Sequence, residues 1–397
     1  MRILITNNML ANRAGTELYV RDLALGLLRR GHEPIAFSTK LGDVAEEIKC
    51  AGAPVIGDLK ELPWQPDIIH GHHHLDTMTA LLCCPGTPAI YVCHGAMPWE
   101  EAAPRFPRIL RYAAVDHACR DRLVLEHAIP EDQIRVILNF VDLGRFKPRA
   151  ELPARPQRAL VFSNQANERT HIGAVREACE RLGIRFDVVG LGVENVSAAP
   201  EALLGDYDIV FAKGRAALEA LAVGAAVILC DAAGAGPMVT TGNVRQLRPL
   251  NFGIRALRDP INADVISREM SRYDPEDAAA VAKHIRATAG FEAALDELLC
   301  LYIEVLDEYR LTRNDDALAE QRATALYLRE LAPRLRDHDR VRQALAAQEA
   351  QLEMIKNSRS WRMISRYAEI KHRFFAPADG RLSGPPKLRS HNADESS

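Results

Sequence analysis

Short apolar runs recur along the first 260 residues, and longer segments with helical periodicity separate them. Arg2-Ile3-Leu4-Ile5-Thr6, Pro34–Ser38, Ala159–Ser163 and Arg185–Gly192 read as strands of a parallel sheet. Between the first two, Leu18, Val20, Leu23, Leu25, Leu27 and Leu28 follow Thr16-Glu17 at helical spacing. That segment closes at Arg29-Arg30-Gly31, where cations and a glycine suit a helix C-terminus. The clearest unit is YDIVFAKGRAALEALAVGAAVILC at 207–230, with strand runs at Ile209–Phe211 and Ala226–Leu229. An Ala- and Leu-rich helix from Gly214 to Val223 lies between them and ends at Gly224. The pattern predicts a βαβ unit whose helix starts just past a strand's C-terminal end, where open α/β sheets bind ligands and helix N-termini favour anions.

Past residue 260 the pattern turns helical. Ala278–Thr288 and Phe291–Tyr309 carry apolar residues at a 3.6 period, and Ala317–Ala350 is rich in Ala, Leu, Arg, Glu and Gln. That stretch predicts extended, coiled-coil-like helices with a break near Pro333, and with them self-association. From 356 to 376 Lys356, Arg359, Arg362, Arg366, Lys371 and Arg373 alternate with Trp361, Ile364, Tyr367, Ile370 and Phe374. A basic, aromatic helix of this kind fits an anionic membrane surface, or a partner or the body of the protein. Residues 377–397, rich in Pro, Gly, Ser and Asp, are expected to be disordered.

Composition narrows the class. The 397 residues are 48% hydrophobic and 26% charged, which fits folded domains and excludes wholesale disorder. A net charge of −3 gives no reason to expect a nucleic-acid partner. The eight cysteines form no CxxC pair, and most sit in apolar runs, as expected of reduced core thiols in a cytoplasmic protein. A strand beginning at Arg2 leaves no room for a signal peptide, and no apolar run approaches the ~20 residues of a membrane span. Histidines at 70, 72, 73 and 74 raise a metal site, but no acidic or cysteine partner stands at zinc-ligand spacing, so no metal is expected.

Several ordered motifs carry a family resemblance over residues 1–260. AGTELYVRDLALGLLRRGHEP, from Ala14, resembles the opening of family 4 glycosyltransferases, a Gly-Gly-x-Glu loop and a helix ending in Arg-Gly-His. Asp67–His72 and Ala89–Gly95 resemble two strand ends of that family. Gln133–Asp142 with Phe146-Lys147-Pro148 resembles the motif that closes its first domain, with Phe140 in place of a glycine. LEALAVGAAVI, from Leu218, resembles the helix and strand of its donor-binding domain.

The resemblance implies a GT-B fold, two Rossmann-like α/β domains facing a cleft, with a C-terminal helical extension. Its boundaries would be 1–148 for the acceptor-side domain, 149–157 for the Pro-rich linker and 158–290 for the donor domain. Residues 291–355 would form the helical return and extended region. It implies transfer of a sugar, with retention and without a metal, from a nucleotide diphosphate-sugar to a glycan or lipid-linked acceptor. The nucleotide sugar is a substrate, and no cofactor is expected. The implied setting is cell-surface polysaccharide synthesis, in the cytoplasm or at the inner membrane's cytoplasmic face.

It also implies roles for residues. Gly15 and Glu17 would lie over the cleft near the donor phosphates; His94 would contact the donor sugar; His70, His72 and Asn139 would line the acceptor side. Glu219 matches the family's second glutamate, which binds the donor ribose, while the first falls on Phe211. Asn164 stands where the family has a diphosphate-binding arginine, and Arg169 is the cation nearest its lysine. Gly190 matches a strand-end glycine, Gly234 and Gly236 a Gly-rich loop preceding a helix that meets the diphosphate, and Lys213, Gly214 and Arg215 add a positive helix start. Two other readings keep the architecture: a non-catalytic scaffold, given the residues at 164 and 211, and a nucleotide-sugar 2-epimerase, against which the 139–148 motif speaks.

Overall fold

The computed structural model describes residues 1–312 and 316–375, and the chain divides into two compact units at Thr324. The first unit holds two sheets. The seven strands of one are β1 (Arg2–Thr6), β2 (Glu33–Phe37), β3 (Val55–Ile56), β4 (Ile68–His72), β5 (Ala89–Cys93), β6 (Ile109–Ala114) and β7 (Ile134–Val136). They pair in parallel in the order β3-β2-β1-β4-β5-β6-β7. Helices α1 (Gly15–Arg29), α2 (Asp43–Cys50), α3 (His74–Cys83) and α4 (His117–Leu125) connect them.

The second sheet contains β8 (Arg158–Phe162), β9 (Arg185–Val189), β10 (Ile209–Ala212), β11 (Ala226–Asp231) and β12 (Gly234–Met238) in the order β12-β11-β10-β8-β9. Its helices are α5 (Ile172–Leu182), α6 (Pro200–Leu203), α7 (Gly214–Val223), α8 (Val244–Leu247), α9 (Ala263–Met270) and α10 (Pro275–Thr288). Both sheets reverse their winding beside the first strand, between β1 and β4 and between β8 and β10. In open α/β sheets ligands bind at such reversals, outside the strand C-termini.

The expected βαβ unit is β10-α7-β11, with Ile209 opposite Ala226 and Phe211 opposite Ile228. Alternation along β10 sends Val210 and Ala212 into one core with Ala217 and Leu221 of α7, and Phe211 into the other with Val175 and Ile266. Gly224 ends α7 in the left-handed conformation at φ 104°. Phe211 is fully buried and does not line the cleft.

Two expectations are corrected. Gly234–Met238 is an antiparallel edge strand, not a loop leading into a helix; Asp231 pairs with Gly234 across a two-residue turn. Its glycines answer to packing: a Cβ on Gly236 would meet the Ala256 carbonyl, and one on Gly234 would crowd the Leu257 and Asp259 carbonyls. The break near Pro333 is also absent, since α12 (Ala317–Asn357) runs through it. Proline removes a single intrahelical hydrogen bond there, and the surrounding Leu, Arg, Glu and Ala are good helix formers.

The chain crosses between the sheets twice, and the crossings are bonded together. The Val141 amide donates to the Ala289 carbonyl at 2.8 Å, and the Phe291 amide donates to Val141 at 3.0 Å. Helix α11 (Phe291–Thr312) then packs against α1 and the first sheet. Gly26 makes this approach feasible, because the Phe291 ring occupies the space a Cβ would need. The last described element is α13 (Arg359–Phe375), on which Trp361, Met363, Ile364 and Tyr367 are exposed. No described helix is long and apolar enough to cross a membrane. The tail at 377–397 lies outside the described residues.

Candidate functional site

A cleft of about 380 Å³ opens where the strand C-termini of the two sheets face each other. The segment after β1 contributes Arg13–Thr16, the segment after β5 contributes His94, and Asn139 comes from the crossing. From the second sheet come Ser163–Gln165, Gly190, Lys213–Ala216, Glu219, Asp231 and Asn251. Most of them follow a strand or open a helix, while Glu219 lies one turn into α7, Asp231 ends β11 and Asn251 follows the turn at 248–250.

The floor is the start of α7. Its first amides lack intrahelical partners by construction, and Lys213, the N-cap residue, makes no side-chain capping bond to them. Gly214 sits at φ 59° with open space where a Cβ would point; its own amide donates to the Phe252 carbonyl at 3.0 Å, which leaves the next amides, of Arg215 and Ala216, for the cavity. Gly190 lets β9 end against the Ser163 carbonyl, which any Cβ would strike. Lys213 forms an ion pair with Asp231, which also accepts from Ser163 Oγ at 2.9 Å.

Arg215 is the hub of the wall. Its Nε donates to Glu219 at 2.8 Å, one turn along α7, and its other end pairs with Asp22 of α1 on the opposite side of the cleft. All three side chains are at least 88% buried. Burial disfavours the Arg215 charge, but Asp22 and Glu219 outweigh it and raise its pKa. Burial also works against the Asp22 carboxylate, yet Arg215 and Arg21 hold its pKa below the usual value. For Glu219 burial prevails, and the pKa is raised despite Arg215.

His94 is held at two points. Its amide donates to Glu101 Oε2 at 2.9 Å, and its ring Nε2 lies 2.6 Å from Nδ1 of His72. Burial, then the neighbouring histidines, and for His94 also Arg215, keep both rings well below the ordinary histidine pKa, so both are neutral near pH 7. Burial likewise raises Glu101 to about 7.

Of the residues singled out in the sequence, Gly15, His94, Asn139, Gly190, Lys213, Gly214, Arg215 and Glu219 converge on the cleft. Six do not. Arg169 is exposed on its loop and does not line the cavity. Glu17 is buried in the first turn of α1 and bonded to Thr16, because the helix turns it inward. Gly234 and Gly236 are buried in β12. His70 is fully buried and bonded to Tyr302 of α11, and burial lowers its pKa to about 3. His72 lies behind His94, also fully buried. Strand alternation places both histidines on one face, and that face is covered by α1 and α11.

Arg13, Ser163, Asp231 and Asn251 were missed. Arg13 directly precedes the Ala14-Gly15 motif and Asp231 ends a strand, signals a position-by-position reading could use. Asn164 proves structural: it donates to the Arg13 carbonyl across the cleft at 3.4 Å and accepts from the Leu191 amide. Among the described residues no group of three His, Cys, Asp or Glu side chains could hold a metal ion.

Residues 13–145 match the family model described as Glycosyltransferase Family 4. No curated protein sequence matches the chain significantly. Solved structures share the fold. A glycosyltransferase from Rickettsia africae superposes with a TM-score of 0.59 at 18% identity, over 77% of this chain and 98% of its own. HepE of Anabaena, solved with UDP and glucose, gives 0.55 at 15% identity, over 77% and 99%. Sucrose-phosphate synthase from Thermosynechococcus elongatus gives 0.50 at 15%, over 77% and 99%. Residues 13–145 thus match the Glycosyltransferase Family 4 model, and both sheets are arranged as in these solved glycosyltransferase structures, so the fold of the chain is GT-B.

Proposed function

We propose that the cleft binds a nucleoside diphosphate sugar and transfers the sugar, with retention, to a glycan or lipid-linked acceptor in cell-surface polysaccharide synthesis. The observation that carries this reading is the convergence of the α7 N-terminus, Lys213, Arg215 and Glu219 in one cleft at the winding reversal of the second sheet. UDP bound to the Anabaena protein is the model for the donor class.

In this reading the diphosphate lies against the Arg215 and Ala216 amides at the start of α7, with Lys213, Arg215 and Arg13 around it. These fixed cations and helix amides stabilise the charge that grows on the leaving group, the task a divalent metal performs elsewhere. Arg215 bonds Oε1 of Glu219, and Oε2 stands outside that bond as the acceptor for a ribose hydroxyl. The sugar extends toward His94. The bond from C1 to the diphosphate breaks as an acceptor hydroxyl oxygen bonds C1 on the same face, and the hydroxyl proton leaves to the departing diphosphate or to water. The exposed Trp361, Ile364 and Tyr367 beside Arg359, Arg362 and Arg366 on α13 would bring this cytoplasmic enzyme to an anionic membrane. The C-terminal helices would also support self-association.

The test is a thermal-shift panel of nucleoside diphosphates and their sugars on the full chain and on Glu219→Ala. A ligand that binds only the folded state raises the midpoint. One nucleotide class should do so in the wild type and lose its effect in the variant. No shift with any donor, alone or with glycan acceptors, would favour a non-catalytic scaffold.

A further inference from the structure

His72 is buried behind the cleft, touches no ligand-accessible surface, and is bonded to a residue that does. Its Nδ1 and Nε2 of His94 are 2.6 Å apart, and the rings stack at 4.6 Å with planes 20° apart. Tyr19 sets its ring edge-on against both, and Glu101 fixes the His94 amide, so neither imidazole is free to turn.

Both rings are neutral, so each carries one N–H and one bare nitrogen. One proton must lie between Nδ1 of His72 and Nε2 of His94, and two arrangements satisfy that. If His94 donates, the His72 proton sits on its own Nε2, which is buried without a hydrogen-bond partner. If His72 donates, its Nε2 is left with only a bare lone pair. Buried N–H groups without an acceptor are the rarer and costlier case, so the second arrangement prevails. The His94 proton then resides on Nδ1, the one ring nitrogen left for the cavity.

We propose that His72 is a positioning residue that locks His94 as the neutral Nδ1–H tautomer, so that His94 offers the donor sugar a hydrogen-bond donor. The inference rests on the reading of the cleft as a donor site. The ring then donates to a sugar hydroxyl oxygen, a carboxylate or an amide carbonyl, and discriminates against a sugar bearing an ammonium at the contacted position, which offers no acceptor.

The full-length chain labelled with ¹⁵N-histidine tests the lock directly, because two-bond couplings report which ring nitrogen is protonated. The His94 signals, assigned by their loss in His94→Gln, should show a proton on Nδ1 and a bare Nε2. A proton on Nε2 overturns the proposal. Kinetics supply the second arm. His72→Leu should lower kcat/KM for the sugar nucleotide about 10-fold, the worth of one hydrogen bond, and leave the affinity for the nucleoside diphosphate alone unchanged. His72→Asn keeps a donor near the Nδ1 position and should recover most of that loss. Equal losses in the Leu and Asn variants would reduce His72 to a packing residue and sink the proposal. Should no nucleotide bind at all, the donor-site reading fails, while the spectra still decide the tautomer. The spectra and the Asn variant also decide the matter if the Leu variant does not fold.

Discussion

Replacing Arg215 by methionine removes the cation between two buried carboxylates while keeping most of the side-chain volume. Asp22 retains Arg21 at 2.7 Å and Arg145 at 3.7 Å, whereas Glu219 loses the one cation bonded to it. Removing one partner of a buried pair costs ~3–5 kcal/mol, and the cations left to Asp22 place this case at the lower end, about 3 kcal/mol. The loss depends on pH, and its sign follows from the two carboxyls. Glu219 is already raised, and without Arg215 it rises further; such a group contributes stability below its unfolded pKa and loses it as pH climbs through the folded value. Asp22 is lowered in the wild type, so its contribution is present at neutral pH and fades on acidification; the variant has less of it to lose. The Glu219 term makes the deficit widest near pH 8 and narrower toward pH 5, and the Asp22 term narrows it further only below the ordinary carboxylate pKa. Urea unfolding followed by tryptophan fluorescence at the two pH values measures it, and Arg215→Met with Glu219→Gln should recover more than half at pH 8. A deficit below about 1 kcal/mol, or one unchanged with pH, would refute the view that Arg215 compensates buried charge across the cleft.

Three further outcomes are expected. If Arg13, Lys213 and Arg215 hold the diphosphate as proposed, sugar transfer should persist in excess EDTA; a loss restored by a divalent cation would show that they do not suffice. Glu101→Gln should stabilise the protein at pH 8 by up to ~3 kcal/mol, the equivalent of a carboxyl raised from 4.5 to about 7 by burial, with His73, Arg122 and Glu100 around it. That gain should vanish below pH 4.5, as pH-dependent thermal unfolding can show, and the amide oxygen can still accept the His94 N–H. Deleting residues 358–397 should abolish co-sedimentation with anionic phospholipid vesicles while leaving nucleotide-induced thermal shifts intact. Vesicle binding that survives the deletion would place the membrane contact elsewhere.

Local pattern determined much of this fold. The strands at 2–6, 209–212 and 226–231 could be read because apolar runs flanked by Gly and charge have few other ways to bury themselves, and α7 because alanine and leucine favour a helix that Gly224 ends. The chemistry near helix starts was legible for the same reason: Gly214, Arg215 and Glu219 follow directly from where β10 stops. What the sequence left open is what each polar group faces. His70 and His72 stand on one face of β4 by alternation, but only the docking of α1 and α11 turned that face inward and made His72 a support for His94. Gly234 and Gly236 have a phosphate-loop composition, yet the strand pairing with β11 and the approach of residues 256–259 decided their role. Asp22 and Arg215 are 193 residues apart, and nothing local joins them. Periodicity is a property of neighbours in the chain and survives in one dimension; burial, charge pairing and tautomer depend on what packs alongside, which is settled only when the two sheets close on one cleft.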